Sequence, residues 1–187
     1  MYILGINGSP REGGNTDLLL EETLNGARGK GAKTEKVILN RLHMAPCQEC
    51  KNVRDDGRCK IDDDFQPLYD KILKSGALIL ATPIFFGSLS AQTKIMIDRF
   101  QCHWRYKYIL KKDSVREKIP GAFIAVEASD RTDFFDNAKA ITKNFFSTIN
   151  VKYEFELLCS GVDSKGAITK RPDCLKRASS LGRNLAA

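Results

Sequence analysis

The sequence predicts a single doubly wound α/β domain. Three observations carry that reading. Short β-rich runs alternate with longer helical patterns along the whole chain. The run Ala77 to Ala81 is unbroken and apolar, as a strand covered on both faces requires. No linker, repeat or low-complexity segment divides the 187 residues. Strands alternating with helices build a parallel sheet with helices on both faces. At roughly 150 residues per domain the chain makes one, residues 1–187. A domain of this size buries about 70% of its unfolded surface and needs no disulfide staples.

The elements follow in order. Tyr2 to Ile6 is the first strand and ends in a glycine-rich turn. Thr16 to Arg28 is the first helix, with Leu18, Leu19, Leu20 and Leu24 on an apolar stripe and Asn15 as N-cap. Lys36 to Leu39 is the second strand. Residues 43–62 form an irregular, cysteine-bearing loop. Asp62, Asp63 and Asp64 then open a helix carrying Phe65, Leu68, Tyr69, Ile72 and Leu73 at helical spacing, an acidic start that the helix dipole favours. After the third strand, Pro83 to Ser88 reads as a turn and Leu89 to Gln101 as a helix. Residues 102–118 are basic and aromatic and show no clear period. Gly121 to Val126 is the fourth strand, Asp133 to Ile149 a helix and Val151 to Leu158 the fifth strand. Arg171 to Leu185 is the last helix, with Pro172 near its start. Right-handed crossovers in one sheet leave Rossmann-like or flavodoxin-like order. Ligands of such sheets sit beyond the carboxyl ends of the strands, so the loops after strands one, three and four are the expected site.

Composition narrows the function classes. The net charge of +7 suits an anionic partner, whether nucleic acid, membrane surface or phosphorylated small molecule. The basic and aromatic stretch Cys102-His103-Trp104-Arg105-Tyr106-Lys107-Tyr108 is short and isolated, so no nucleic acid is expected. No apolar run approaches ~18 residues and the N-terminus lacks the pattern of a signal peptide, so no membrane is expected. Three of the six cysteines crowd into residues 47–59. In the cytoplasm, the expected compartment, such clustering points to metal or redox chemistry before disulfides.

The first loop, Gly5 to Thr16, is rich in small residues and hydroxyl or amide side chains. Backbone N–H groups and a helix N-terminus suit a phosphate there, with Ser9, Arg11, Asn15 and Thr16 as added donors. No Gly-Lys-Ser/Thr follows, so it is not a Walker loop. It lacks the G-x-G-x-x-G dinucleotide fingerprint as well. A monophosphate pocket remains, against the alternative of a plain strand-to-helix turn. Pro83-Ile84-Phe85-Phe86-Gly87 offers a flat apolar surface and a close backbone approach, suited to an aromatic ring system. The spacing Cys47-x2-Cys50-x8-Cys59 permits an iron–sulfur cluster, a zinc site completed by His43, or a loop without metal. Cys102, Cys159 and Cys174 have no spacing partners and read as packing residues.

Taken in chain order, these segments resemble the NADPH-dependent FMN reductases and iron–sulfur flavoproteins. Gly8-Ser9-Pro10-Arg11 with Asn15-Thr16 is similar to their phosphate loop. Pro46-Cys47-Gln48-Glu49-Cys50 with Gly57-Arg58-Cys59 is similar to the cysteine segment of the iron–sulfur flavoproteins, which carry four cysteines there; the missing one falls near Val53. Thr82 to Gly87, with Lys94 and Asp98-Arg99, is similar to their flavin loop. Gly161 to Gly166 and Ala178 to Gly182 are similar to their C-terminal segment. The resemblance implies a flavodoxin-like five-stranded sheet of order 2-1-3-4-5 and bound FMN. It places the phosphate on Ser9, Arg11, Asn15 and Thr16, and the ring on Pro83, Ile84, Phe85, Phe86, Gly87, Glu127 and Ala128. It implies NAD(P)H as co-substrate, with a ferredoxin-like protein as the other donor to weigh. The acceptor is a small molecule or flavin, and the assembly a homodimer or homotetramer. The flavin carries the chemistry, so no catalytic acid or base is assigned. Two alternatives stand beside this oxidoreductase: an iron–sulfur electron carrier with metal on Cys47, Cys50 and Cys59, and a thiol or flavin redox sensor that is not an enzyme.

Overall fold

The computed structural model describes residues 1–50, 54–112 and 117–187. Its strands are β1 (Tyr2–Asn7), β2 (Lys33–Ile38), β3 (Ala77–Phe85), β4 (Ser88–Leu89), β5 (Ile119–Val126) and β6 (Val151–Cys159). Its α-helices are α1 (Asn15–Arg28), α2 (Phe65–Lys74), α3 (Ala91–Arg99), α4 (Gln101–Trp104), α5 (Phe135–Thr148) and α6 (Pro172–Leu185). The sheet runs β2-β1-β3-β5-β6, all parallel, and β4 pairs antiparallel with the end of β3. The doubly wound parallel architecture is as the sequence predicts. The five-strand count is corrected to six, because Ser88–Leu89 folds back on Ile84–Phe85. With that short return strand set aside, the long strands keep the flavodoxin-like order.

Alternation along β1 sends Leu4 and Ile6 to one face and Ile3 to the other. One face packs on α2, α3 and α5 through Phe65, Phe100, Phe145 and Phe146. The other packs on α1 and α6 through Leu19, Leu20, Leu24, Ala178 and Leu181. β3 carries residues of both clusters (Leu78 and Leu80 against Ala77 and Ile79), which is why its sequence is apolar without alternation.

The two helices of the second face approach very closely. A Cβ on Gly182 would stand 1.8 Å from the Thr23 carbonyl oxygen, and one on Gly26 2.1 Å from that of Ser179. Gly182→Ala gains about 1 kcal/mol of helix propensity. The clash is with backbone, which cannot swing aside, and overpacking costs about 1–3 kcal/mol. Net destabilisation is expected, read as a lower urea midpoint at unchanged slope.

Candidate functional site

A cavity of about 260 Å3 opens beyond the carboxyl ends of β1, β3 and β5. From the first loop and the start of α1 it takes Ser9, Arg11, Gly14, Asn15 and Thr16. The end of β3 adds Pro83, Ile84 and Phe85, and the segment after β5 adds Val126 and Ala128. Val162, Asp163 and Lys165 close it from the loop after β6. Phe86, Gly87 and Glu127 lie outside this lining. The residues that site assignment from sequence missed are Gly14, Val126, Val162, Asp163 and Lys165. For Val162, Asp163 and Lys165 the signal is the segment Gly161 to Gly166, a motif to which the sequence reading gives no role.

The first loop is built by its own polar groups. Ser9 N–H donates to Asn7 Oδ1 (2.9 Å), Arg11 N–H to Ser9 Oγ (3.1 Å) and Gly14 N–H to Arg11 O (3.1 Å). Helix α1 starts behind Gly14 with no side chain capping it. This is where the sequence reading of Asn15 as N-cap needs correction. Its buried amide has better partners in the loop after β6: Nδ2 donates to Val162 O (3.3 Å) and Ser164 O (3.0 Å), and Oδ1 accepts from Ile168 N–H (3.1 Å). A buried amide needs such partners, and these pin the fourth loop to α1. The uncapped first turn leaves backbone N–H groups and the positive helix end for an anion. Asp17 stands in that turn, accepting from Gly13 N–H (2.8 Å), and its charge is paired with Lys36 Nζ (2.9 Å). The exposed cations at the cavity are Arg11 and Lys165.

The second loop corrects another boundary. Residues 83–85 are strand rather than turn, and the turn is Phe86-Gly87 alone. Both residues have positive φ, 51° and 68°, the geometry of a two-residue hairpin turn. A Phe in that region is uncommon, and Phe86 is also fully exposed. Asn137 Nδ2 holds the turn through Gly87 O (3.2 Å). A knot of buried hydroxyls ties the two loops together. Ser90 Oγ donates to Gly8 O (2.6 Å), Ser90 N–H to Thr82 Oγ1 (3.2 Å), and Thr93 Oγ1 to Thr82 Oγ1 (3.3 Å). Ser90 also caps α3 by accepting from Thr93 N–H (3.2 Å). The carboxylate of Glu127 turns back on its own loop, accepting from Ser129 N–H and Oγ (both 3.0 Å). That is why it leaves the cavity to Ala128.

Comparison with known proteins decides the family. The model of the NADPH-dependent FMN reductases matches residues 1–134. The chain belongs to that family. An iron–sulfur flavoprotein of Methanocaldococcus jannaschii is 39% identical over 99 residues, covering 53% of this chain and 51% of that protein. The chain spans about half the length of the curated relatives it matches. Among solved structures, a flavone reductase superposes with a TM-score of 0.71 at 22% identity, over 100% of this chain and 62% of that one. A flavodoxin from the domain Archaea superposes with 0.59 at 12% identity, over 100% and 96%. These likenesses carry the fold, which is the flavodoxin-like one expected. FMN and NADPH are the ligands named for the FMN reductase family, and its class is the oxidoreductase class that the resemblance implies. Among the described residues no helix is long and apolar enough to cross a membrane.

The cysteine segment of this FMN reductase family member lies elsewhere. Cys47, Cys50 and Cys59 line a second cavity of about 180 Å3, and Cys102 lines it with them. Val53 lies outside the described residues. His43 is exposed and takes no part in the lining, so the zinc site completed by it is not formed. Among the described residues no three His, Cys, Asp or Glu side chains stand where they could hold a single ion. The loop is organised by Arg99, whose side chain is fully buried. Its Nη1 donates to Ala45 O (2.8 Å) and Asp63 Oδ2 (2.6 Å), its Nη2 to Ile61 O (3.2 Å) and Asp63 Oδ1 (3.1 Å), and its Nε to Cys59 Sγ (3.3 Å). The guanidinium also lies 4.7 Å from the Phe65 ring centroid. The stretch 102–109, unassigned from sequence, is α4 followed by a π-helical turn over Arg105–Ile109. It packs on the cysteine loop: Tyr106 covers Gly57, and His103 Nδ1 meets Tyr69 Oη at 2.9 Å. Burial, with Cys59 nearby, pushes the Cys102 thiol up to about 12. Cys159 and Cys174, unpaired in the sequence reading, meet with sulfurs 2.8 Å apart.

Proposed function

We propose that this chain is an FMN-dependent oxidoreductase. It takes electrons from NAD(P)H, or from a ferredoxin-like protein donor, and passes them to a small-molecule or flavin acceptor. The observation that carries the reading is the convergence of four loops on one cavity. One end is anion-binding (Ser9, Arg11, Thr16, Lys165 and the uncapped start of α1) and the other is apolar and aromatic (Pro83, Ile84, Phe85). These residues fit FMN in kind: cations and N–H donors at the phosphate end, a flat apolar wall at the ring end. Arg11 and Lys165 hold the phosphate, with Ser9, Asn15 and Thr16 shaping the loop around it. Pro83, Ile84 and Phe85, with Ala128 opposite, orient the ring and keep water from one side. Bound there, FMN supplies hydride and one-electron transfer. The cavity is smaller than the ~300–1,000 Å3 of pockets that bury most of a drug-sized ligand, which favours a flavin with one edge open to a second substrate beside exposed Phe85 and Phe86. Exposed Trp104, Tyr108, Ile109 and Leu110 favour a homodimer or homotetramer. The reading places the protein in the cytoplasm, where its thiols stay reduced.

The test compares FMN with riboflavin, which lacks the phosphate. FMN is expected to bind at least tenfold more tightly. Arg11→Ala with Lys165→Ala should close most of that gap, since each charge-assisted hydrogen bond contributes about 1.5–3 kcal/mol. Equal affinity of the parent chain for the two flavins would remove the phosphate site from these loops.

A further inference from the structure

We infer that Cys159 and Cys174 are a peroxide-sensitive thiol pair, whose disulfide clasps the loop that closes the cavity beyond β1, β3 and β5. Cys159 ends β6, and Cys174 lies in the first turn of α6. Their sulfurs lie 2.8 Å apart, and both residues are almost wholly buried, at 2% and 1% exposure. The chain between them leaves the sheet and lines the cavity with Val162, Asp163 and Lys165. It then returns through a 3-10 turn at Ala167–Lys170. A bond between its two stems would close a ring that carries one wall of the cavity. The stems are held together without that bond. Glu127 N–H donates to Cys159 O (2.9 Å), and Arg171 Nη1 donates to Ser160 O (3.4 Å).

The two thiols differ in character. Burial, with Cys174 alongside, pushes the Cys159 thiol up to about 12, so it stays protonated. Cys174 stands at the positive end of α6, where a thiolate is favoured, and Arg171 is within electrostatic reach of both sulfurs. Its S–H donates to Asp173 Oδ2 (3.6 Å), a carboxylate open to solvent. Cys174 is therefore the attacking thiolate. Its sulfur takes one oxygen from hydrogen peroxide: an S–O bond forms, the O–O bond breaks, and the hydroxide that leaves is protonated to water. The Cys159 sulfur then attacks the Cys174 sulfur. An S–S bond forms, the S–O bond breaks, and the departing hydroxide takes the Cys159 proton as a second water. Two thiols and one peroxide give one disulfide and two waters. Burial selects the oxidant. A small neutral peroxide passes beneath the exposed residues 163–165, whereas a bulky disulfide such as oxidised glutathione does not. In a reducing compartment such a bond is transient and reports oxidant.

No step uses the flavin, so this inference and the FMN site fail independently. The full chain is reduced, then treated with hydrogen peroxide or, in parallel, with oxidised glutathione. Free thiols are alkylated in denaturant, and tryptic peptides are read by mass spectrometry. Cuts after Lys165 and Lys170 put the two cysteines on separate peptides, 153–165 and 171–176. Peroxide is expected to join these peptides, and oxidised glutathione to leave both cysteines free for alkylation. The oxidised chain should melt about 6–12 °C higher, the rise expected from closing a loop of roughly 15 residues in a chain of this size. Dithiothreitol should reverse both changes. Cys159→Ala and Cys174→Ala should each lose the rise, and Cys50→Ser should keep it. The parent chain decides the bond without any variant. Cys159 and Cys174 still free after peroxide, or carried to sulfinic acid with no link between them, would overturn the inference. So would a link that leaves the melting temperature unchanged, or one that oxidised glutathione forms equally well.

Discussion

Asp63→Ala is expected to destabilise the chain by about 3–5 kcal/mol, the cost of stranding a buried cation. Asp63 is the carboxylate partner of Arg99, whose side chain is fully buried, and is itself only 14% exposed. Its two oxygens also accept the N–H groups of Ala45 and Phe65 (2.9 and 3.0 Å). One truncation therefore removes the acceptor from a guanidinium and two backbone donors. Asp63→Asn keeps an acceptor and should cost less. Urea unfolding of the three proteins measures the order, and a loss below about 1 kcal/mol for Asp63→Ala would contradict this account. The same pair sets an acid limit. Burial alone would raise the Asp63 carboxyl, but the hydrogen bonds from Arg99, Ala45 and Phe65 outweigh it and hold it below the ordinary carboxylate range. The folded value is thus below the unfolded one. The stabilisation is full above about pH 4 and is lost as pH falls through the folded value. The parent's unfolding free energy should drop in that window by more than that of Asp63→Ala.

Gly8→Ala is expected to abolish measurable FMN binding. A Cβ at Gly8 would stand 1.9 Å from Thr93 Oγ1 and 3.2 Å from Ala81 O, inside the hydroxyl knot of Ser90, Thr82 and Thr93. Gly8 N–H is already committed to Ala81 O at 2.7 Å, so the loop cannot shift without breaking its own anchor. Either the start of the phosphate loop moves away from β3 or α3 moves, and the two ends of the pocket separate. Overpacking adds about 1–3 kcal/mol of destabilisation. Thr93→Ala in the same chain removes the closest clash and should restore part of both losses, a non-additivity that a double-mutant cycle reads directly. Unchanged FMN affinity in Gly8→Ala alone would show that the knot does not set the pocket.

The architecture was legible because its strands are local signals: unbroken apolar runs at Ala77 and Gly121, a glycine-rich loop after the first strand and amphipathic helices between. The first-loop wall of the cavity was legible for the same reason, since Ser9 to Thr16 is one contiguous loop. What the sequence hid is long-range. Asn15 looks like an N-cap, but its partners lie in the loop 162–168. Pro83 suggests a turn, yet it stands at the end of β3 opposite Val126, where a sheet tolerates it. Cys102 and Cys59 share a wall only because Arg99 draws the cysteine loop onto α3. Cys159 and Cys174 meet only because α6 returns beside β6. Spacing rules see neighbours in the chain, and these pairings are made by the sheet.

The central claim is that the loops after β1, β3, β5 and β6 form one FMN site that NAD(P)H can reduce. Anaerobic titration of the flavin-free chain with FMN, followed by NADPH and NADH, tests it most directly. Saturation at equimolar FMN, and bleaching of the bound flavin by one nucleotide or both, is the predicted result. A chain that retains no flavin at excess FMN, or whose bound flavin neither nucleotide reduces, would contradict it.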